Sequence, residues 1–224
     1  PTPRVGGIAR FFAFVVPLGL LVVFSPEVRA LASDETNMPR IGALFAGAIA
    51  MFCVGLVDDL KGLRASHKLV THVVVGALAW ACGFRIDGVE LPFIGSLSMG
   101  IFSLPITVIW IAGIINAVNL IDGLDGLAAG VVFFASVTNF VVAIISGEPL
   151  VAAWMVVVLG SVFGFLFYNF NPARIFMGDS GSYFLGFVLA VTSISAPFQK
   201  ASFTVSLVAP VVALGVPIID TLLA

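Results

Sequence analysis

Residues 127–146 read LAAGVVFFASVTNFVVAIIS, a stretch without a single charged side chain. About 20 predominantly apolar residues are long enough to cross the hydrocarbon core of a bilayer as one α-helix. Other apolar stretches of similar length occupy residues 8–24, 41–57, 69–84, 99–117, 150–168, 181–197 and 201–222. The pattern predicts an all-α, polytopic integral membrane helix bundle with about eight transmembrane helices.

The composition supports a membrane protein. Hydrophobic residues make up 60% of the chain and charged residues only 10%, whereas a soluble domain has about 25% charged residues. So little charge cannot cover a globule in water, and the absence of a basic run argues against a nucleic-acid partner. We treat residues 1–224 as a single transmembrane domain. Because the chain begins at Pro1 without Met and stops at Ala224 inside an apolar run, we expect it to be truncated at both ends.

The polar segments between the spans alternate between two sides of the membrane. Residues 1–7, 58–68, 118–126, 169–180 and the end near Asp220 fall on one side. Together with Arg10, just inside the first span, this side has six Lys or Arg against four on the other. An excess of positive charge points to the cytoplasm. The same side carries a group of aspartates and no glutamate: Asp58, Asp59, Asp122, Asp125, Asp179 and Asp220. We therefore expect an active site at the cytoplasmic face. On the opposite side, the residues around 86–94 predict a small hairpin.

The first motif is the aspartate pair Asp58-Asp59, at the end of the second span. Ionisable residues at membrane depth are costly and usually functional. Adjacent carboxylates repel each other unless a proton or cation is shared between them, and hard oxygen ligands suit Mg²⁺. The alternative is a solvated helix end whose charge is neutralised by Lys61 and Arg64.

The second motif, residues 116–127, reads NAVNLIDGLDGL. Asn116, Asn119 and Asp122 recur every three residues and so share one side of a helix. The two glycines that follow permit a turn that brings Asp125 back toward the same space. This pattern indicates a polar pocket for a sugar nucleotide and its metal. A plain polar turn is the alternative, but amides in an apolar helix are costly unless they find partners.

The third motif, residues 169–182, reads NFNPARIFMGDSGS. A helix is expected to begin near Asp179, and a helix N-terminus flanked by glycine suits phosphate oxygens. A carboxylate at this position would hold Mg²⁺ against a pyrophosphate. The alternatives are that Asp179 or Ser180 caps the helix and that Phe176 is a membrane-interface aromatic.

Together with Pro3-Arg4-Val5-Gly6-Gly7, these motifs resemble the polyprenyl-phosphate N-acetylhexosamine-1-phosphate transferase family, within glycosyltransferase family 4. The resemblance covers essentially the whole chain. It implies transfer of HexNAc-1-phosphate, most often GlcNAc-1-phosphate, from a UDP-sugar to undecaprenyl or another polyprenyl phosphate, with release of UMP. The cofactor implied is Mg²⁺, with Mn²⁺ as a substitute. The implied role is the first membrane step of cell-envelope polysaccharide synthesis, such as cell wall or lipopolysaccharide, in a bacterial inner membrane.

The resemblance also implies roles for individual residues. Asp58 is the expected catalytic carboxylate with Asp59 beside it, and Asp179 is the expected metal ligand, again with Asp59. The expected substrate-binding residues are Asn119, Asp122, Asp125, Asn169, Phe176, Lys61, Lys68 and Arg4. Phe176 is expected against uracil and the lysines against phosphate. The partners implied are the UDP-sugar, the polyprenyl phosphate lipid and the membrane, and a homodimer is left open.

Several alternatives remain at this point. The related phospho-MurNAc-pentapeptide translocase of peptidoglycan synthesis is one, although Arg4 favours a HexNAc-phosphate transferase. A transporter with intramembrane carboxylates is another; it predicts charges near the bilayer midplane, whereas these aspartates gather at one surface. For the transferase, Asp58 would either deprotonate the lipid phosphate or form a phospho-aspartate. The nucleophilicity of a dianionic phosphate favours the one-step route.

Overall fold

The computed structural model describes residues 6–91 and 95–195. Arg4, Asp220 and the predicted span 201–222 lie outside these residues. The described chain forms helices α1 (Gly6–Phe24), α2 (Pro26–Ala32), α3 (Asn37–Lys61), α4 (Ala65–Ala81), α5 (Ser103–Leu120), α6 (Leu127–Ser146), α7 (Pro149–Asn169) and α8 (Gly178–Ser195). Strands β1 (Gly88–Leu91) and β2 (Gly95–Ser98) pair antiparallel and form the expected hairpin.

Each predicted span within the described residues corresponds to a helix, but fewer than eight qualify as membrane spans. Five helical segments among these residues are long and apolar enough to cross a membrane: Gly6–Phe24, Asn37–Lys61, Gly100–Leu120, Leu127–Ser146 and Pro149–Asn169. Helix α4 has only 17 residues, and α8 opens with the polar run GDSGS. For these reasons, α4 and α8 are not among the five candidate membrane spans.

Helix α8 is the centre of the bundle. Nearly all of its side chains are buried, and it packs most extensively against α3 and α5, with α1 on a further side. A helix that is buried all round belongs to the core. The outer helices carry large exposed apolar side chains, including Phe24, Phe134 and Phe167, and these suit contact with lipid chains.

The start of α8 packs between α3 and α1. A Cβ atom on Gly55 of α3 would lie 2.4 Å from the Asp179 carbonyl oxygen and 2.5 Å from the Ser180 amide nitrogen, so only glycine permits this approach. From α1, the Gly6 amide donates a hydrogen bond to the Phe176 carbonyl at 3.2 Å. This backbone packing fixes the end of the bundle that carries the aspartates.

Candidate active site

The three polar motifs meet at one end of the bundle. The Asp125 carboxylate, from the turn between α5 and α6, accepts hydrogen bonds from the Asn171 side chain at 3.2 Å and from the Ala173 amide at 3.0 Å. The end of α3 contacts the start of α8 through Asp59 and Asp179. The polar segments that alternation places on one side of the membrane are therefore in direct contact.

Asp58 lies at the end of α3 with only 5% of its surface exposed. Its Oδ1 accepts a hydrogen bond from the Leu63 amide at 2.7 Å. Its Oδ2 accepts one from the Tyr183 hydroxyl at 2.7 Å and forms an ion pair with Lys68 Nζ at 2.5 Å. A buried carboxylate needs such partners to remain ionised. The geometry therefore fixes the orientation of Asp58 from three directions.

Asp59 caps α8 from a different helix. Its Oδ1 accepts the Asp179 amide at 2.8 Å, and its Oδ2 accepts the Ser180 amide at 3.0 Å. The first amides of a helix have no partner within the helix, and negative charge is favourable there. The capping role considered as an alternative for Asp179 or Ser180 is thus filled by Asp59. Both oxygens of Asp59, a predicted metal ligand, already accept backbone hydrogen bonds.

The Asp179 carboxylate is held by the side chain of Asn119 from α5. The Asn119 side-chain amide donates to Asp179 Oδ1 at 2.6 Å and to Ser182 Oγ at 3.0 Å. On another side, the carboxylates of Asp179 and Asp58 are direct neighbours. Two adjacent carboxylates favour a shared proton or cation. The carboxylates of Asp58 and Asp179 therefore form a pair that attracts a cation, and the neutral amide of Asn119 orients Asp179.

A cavity of about 250 Å³ opens beside this pair and is lined by Asp59, Asp122, Gly123, Phe176, Gly178 and Asp179. Burial raises the pKa of Asp122 to about 7; the charges of Asp179 and Asp59 add to this effect, and Arg10 opposes it. Larger cavities between α1 and α7 and between α3 and α4 are lined almost entirely by apolar side chains. Of these three cavities between described residues, the acidic one has the lining that suits a cation with an anionic ligand.

The carboxylates at the cavity are oxygen ligands of the kind that Mg²⁺ prefers. Within residues 6–91 and 95–195, no three His, Cys, Asp or Glu side chains are placed to bind one ion by themselves. Mg²⁺ is, however, usually held by one or two carboxylates, several waters and the phosphates of a substrate. Asp179, with Asp58 as its neighbour and Asp122 across the cavity, matches that arrangement.

Other residues expected at the site occupy different positions. Phe176 lines the cavity, whereas the buried Asn169 donates to the Ile175 carbonyl at 3.0 Å and holds the segment that precedes α8. Asp125 binds the 171–173 backbone and side chains and is not a cavity-lining residue. Lys61 is exposed at the end of α3. The sequence predicts that this turn brings Asp125 into the pocket. In the structure, the Asp125 carboxylate instead links the turn between α5 and α6 to the segment between α7 and α8.

Two buried residues in contact with this site were not among the predicted site residues. Tyr183 donates to Asp58 and stands four residues after Asp179, so both occupy one face of α8. Arg10 is a charged residue within the first apolar span and is 1% exposed. An intramembrane charge of this kind is by itself a signal of function, and helical spacing from Asp179 would have drawn attention to Tyr183.

A helical bundle with apolar outer faces and an acidic cavity at one end defines the class as a membrane protein with a polar site at the end of its helices. The comparison with known families is more specific. The chain belongs to glycosyl transferase family 4, whose sequence profile matches residues 41–197. This match confirms the family resemblance drawn from the three motifs.

Relatives of the chain include several named transferases. It is 39% identical over 223 residues to a probable undecaprenyl-phosphate N-acetylglucosaminyl 1-phosphate transferase of Bacillus subtilis (strain 168), covering 99% of this chain and 59% of that protein. It is 34% identical over 249 residues to a decaprenyl-phosphate N-acetylglucosaminephosphotransferase of Mycobacterium tuberculosis (strain ATCC 25618 / H37Rv), covering 100% and 60%. A phospho-N-acetylmuramoyl-pentapeptide-transferase of Chlorobaculum parvum (strain DSM 263 / NCIMB 8327) is 32% identical over 209 residues, covering 79% and 56%. The chain thus spans about three fifths of the length of these relatives.

Proposed function

We propose that this chain carries the site of an enzyme that transfers GlcNAc-1-phosphate from UDP-GlcNAc to undecaprenyl phosphate or a related polyprenyl phosphate, with release of UMP. The observation that carries the proposal is the neighbouring pair Asp58 and Asp179 beside an acidic cavity, in a chain of glycosyl transferase family 4. The relatives with the higher identities are named for N-acetylglucosamine phosphate transfer. The phospho-MurNAc-pentapeptide relatives match at lower identity, which supports GlcNAc as the sugar.

The proposal includes a membrane topology. Helices α4 and α8, although shorter or more polar than the five candidate spans, would cross the membrane with them. The acidic cavity would then face the cytoplasm of a bacterial inner membrane, where UDP-sugars are made. The bias of Lys and Arg toward residues 58–68 and 169–180 supports this orientation.

In the proposed reaction, an oxygen of the lipid phosphate attacks the β-phosphorus of UDP-GlcNAc. The bond between that phosphorus and the bridging oxygen breaks, UMP leaves with the bridging oxygen, and the lipid keeps GlcNAc-1-phosphate through a new pyrophosphate. Phosphoryl transfer depends mainly on positioning and charge neutralisation. Bound at Asp179, Mg²⁺ or Mn²⁺ would neutralise pyrophosphate charge. Lys68, paired with Asp58, would share its charge with an incoming phosphate.

The contacts of Asp58 support the one-step route. Its carboxylate accepts the Leu63 amide and the Tyr183 hydroxyl and is paired with Lys68. Hydrogen bonds and an opposite charge stabilise the ionised form of a carboxylate and so reduce its nucleophilicity. We therefore assign Asp58 the orientation of Lys68 and of the lipid phosphate, rather than formation of a phospho-aspartate. Asp59 is assigned the positioning of Asp179 through the helix cap.

A reconstituted transfer assay tests the proposal. The protein, expressed from its complete reading frame, is placed in nanodiscs with undecaprenyl phosphate and radiolabelled UDP-GlcNAc, UDP-GalNAc or UDP-MurNAc-pentapeptide. We expect a lipid-linked product from UDP-GlcNAc with Mg²⁺ and none from the Asp179→Asn variant. A product from UDP-MurNAc-pentapeptide alone would reassign the enzyme to peptidoglycan synthesis. No lipid-linked product from any donor would rule out the transferase.

A further inference from the structure

Arg10 is a buried charge at the end of the bundle that carries the acidic cavity. It lies in the second turn of α1, and its Nε donates to the Gly6 carbonyl at 3.2 Å. One terminal nitrogen, Nη2, donates to the Met177 carbonyl at 3.1 Å. The guanidinium also lies 3.9 Å from the centre of the Phe165 ring, a cation–π contact. Arg10 therefore joins α1 and α7 to the segment that enters α8.

The stability of the fold does not account for Arg10. Its second terminal nitrogen, Nη1, is buried and has no hydrogen-bond partner among the described residues. Taking a charge out of water is expensive, and the cost is recovered only when the charge is paired and its hydrogen bonds are satisfied. A functional role therefore explains a guanidinium at this position better than a contribution to stability does.

The guanidinium lies directly behind the wall of the acidic cavity. Met177, whose carbonyl it binds, stands between Phe176 and Gly178, and both of these residues line the cavity. A Cβ atom on Gly181 would lie 2.3 Å from Arg10 Nη2, so the glycine leaves the slot that the guanidinium fills. The charge of Arg10 is also close enough to act on the carboxylate of Asp122.

We propose that Arg10 is a positioning residue for the nucleotide-sugar pyrophosphate: it holds the Phe176–Gly178 segment as a cavity wall and places a fixed positive charge behind Asp122. This inference rests on the proposed function and adds a residue to it. The fixed charge attracts an anionic pyrophosphate and repels a divalent cation that binds alone. Loss of Arg10 should therefore change the two affinities in opposite directions, which misfolding cannot do.

The test measures binding rather than turnover, with Mn²⁺ as the cation probe. Mn²⁺ binding is followed by electron paramagnetic resonance, and UDP-GlcNAc binding by calorimetry in the presence of Mg²⁺, on protein in nanodiscs. Arg10→Met should bind Mn²⁺ roughly three- to tenfold more tightly without the donor, as expected for removal of one nearby charge. It should bind UDP-GlcNAc roughly tenfold more weakly, a loss of about 1.4 kcal/mol.

Two further variants separate the charge from the hydrogen bonds. Arg10→Lys keeps the charge but cannot reproduce the fork to Gly6 and Met177, so Mn²⁺ affinity should stay near that of the wild type while UDP-GlcNAc affinity falls. Arg29→Met is the matched control. Arg29 is an exposed residue of α2. It donates hydrogen bonds to the carbonyls of Val22 and Val23 at the C-terminal end of α1, away from the cavity. Its loss should leave both affinities unchanged.

The outcomes are distinguishable. Unchanged affinities in Arg10→Met, or a parallel weakening of both affinities with a lower melting temperature, would show that Arg10 is only structural and would overturn the inference while the proposed function stands. If the wild-type protein itself binds neither Mn²⁺ nor UDP-GlcNAc, the proposed function fails and the inference falls with it. Tighter Mn²⁺ binding together with weaker donor binding supports the inference.

Discussion

Replacement of Asp59 by alanine should destabilise the protein even when no metal is present. The Asp59 carboxylate accepts hydrogen bonds from the amides of Asp179 and Ser180, the second and third residues of α8, at 2.8 and 3.0 Å. Loss of a helix N-cap costs about 0.5–2 kcal/mol, and loss of a negative charge at a helix N-terminus costs about 0.3–1 kcal/mol. The combined effect is about 1–3 kcal/mol. For a chain of this size that corresponds to a fall of about 3–10 °C in melting temperature.

Thermal unfolding in excess EDTA separates the cap from a metal ligand. If Asp59 were only a ligand, its removal in EDTA would relieve repulsion with Asp122 and Asp179 and would raise the melting temperature. Asp59→Asn keeps one oxygen acceptor and should fall between the wild type and Asp59→Ala. Asp179→Asn, the control, should not lower the melting temperature in EDTA. An Asp59→Ala melting temperature equal to or above that of the wild type would refute the cap.

The remaining predictions concern packing, pH and topology. Gly55→Ala should prevent α3 from approaching α8 and should sharply reduce folded yield and thermal stability. Gly42→Ala on the same helix should be tolerated, because a Cβ there meets nothing within 4 Å. Wild-type behaviour of both variants would contradict the packing. Burial raises the pKa of Asp122 to about 7, so the folded protein holds a proton there that the unfolded chain loses near pH 4. The stabilisation that this proton gives the metal-free protein should be complete below about pH 4 and should be lost as the pH rises through about 7. Asp122→Asn should flatten the stability profile measured in EDTA, and an unchanged slope would count against the assignment. In a cysteine-free background, a cysteine at Arg64 should react with an impermeant thiol reagent only from the cytoplasm and one at Glu148 only from outside; labelling at Arg64 from outside intact cells would reverse the topology.

The helices could be predicted because the bilayer restricts a spanning segment to about 20 apolar residues. Residues 127–146 were predicted as a span and form α6 with the same limits. The short helix α2 was missed because it lies in a polar segment. Its signals were nevertheless present: Ser25 accepts a hydrogen bond from the Val28 amide as an N-cap, and Pro26 occupies the first helical position.

Parts of the site could not be predicted because they depend on contacts between distant segments. The motifs identified Asp59 and Asp179 as neighbours of one cavity, but a cap that links residues 120 positions apart has no local signature. The same holds for the bond from Arg10 to Met177, which spans 167 positions. Sequence spacing indicated which side chains gather at one membrane face. Tertiary packing decided that Asp125 ties loops together instead of lining the cavity.

The central claim, that the sugar is transferred together with its phosphate, is tested most directly with a doubly labelled donor. UDP-GlcNAc carrying ³²P at the β-phosphate and ¹⁴C in the sugar is incubated with undecaprenyl phosphate, Mg²⁺ and the protein in nanodiscs. If the account is right, both labels enter the lipid product in the ratio of the donor, and the released nucleotide is unlabelled UMP. Lipid that carries ¹⁴C without ³²P, with labelled UDP released, would show transfer of the sugar alone and would contradict the account.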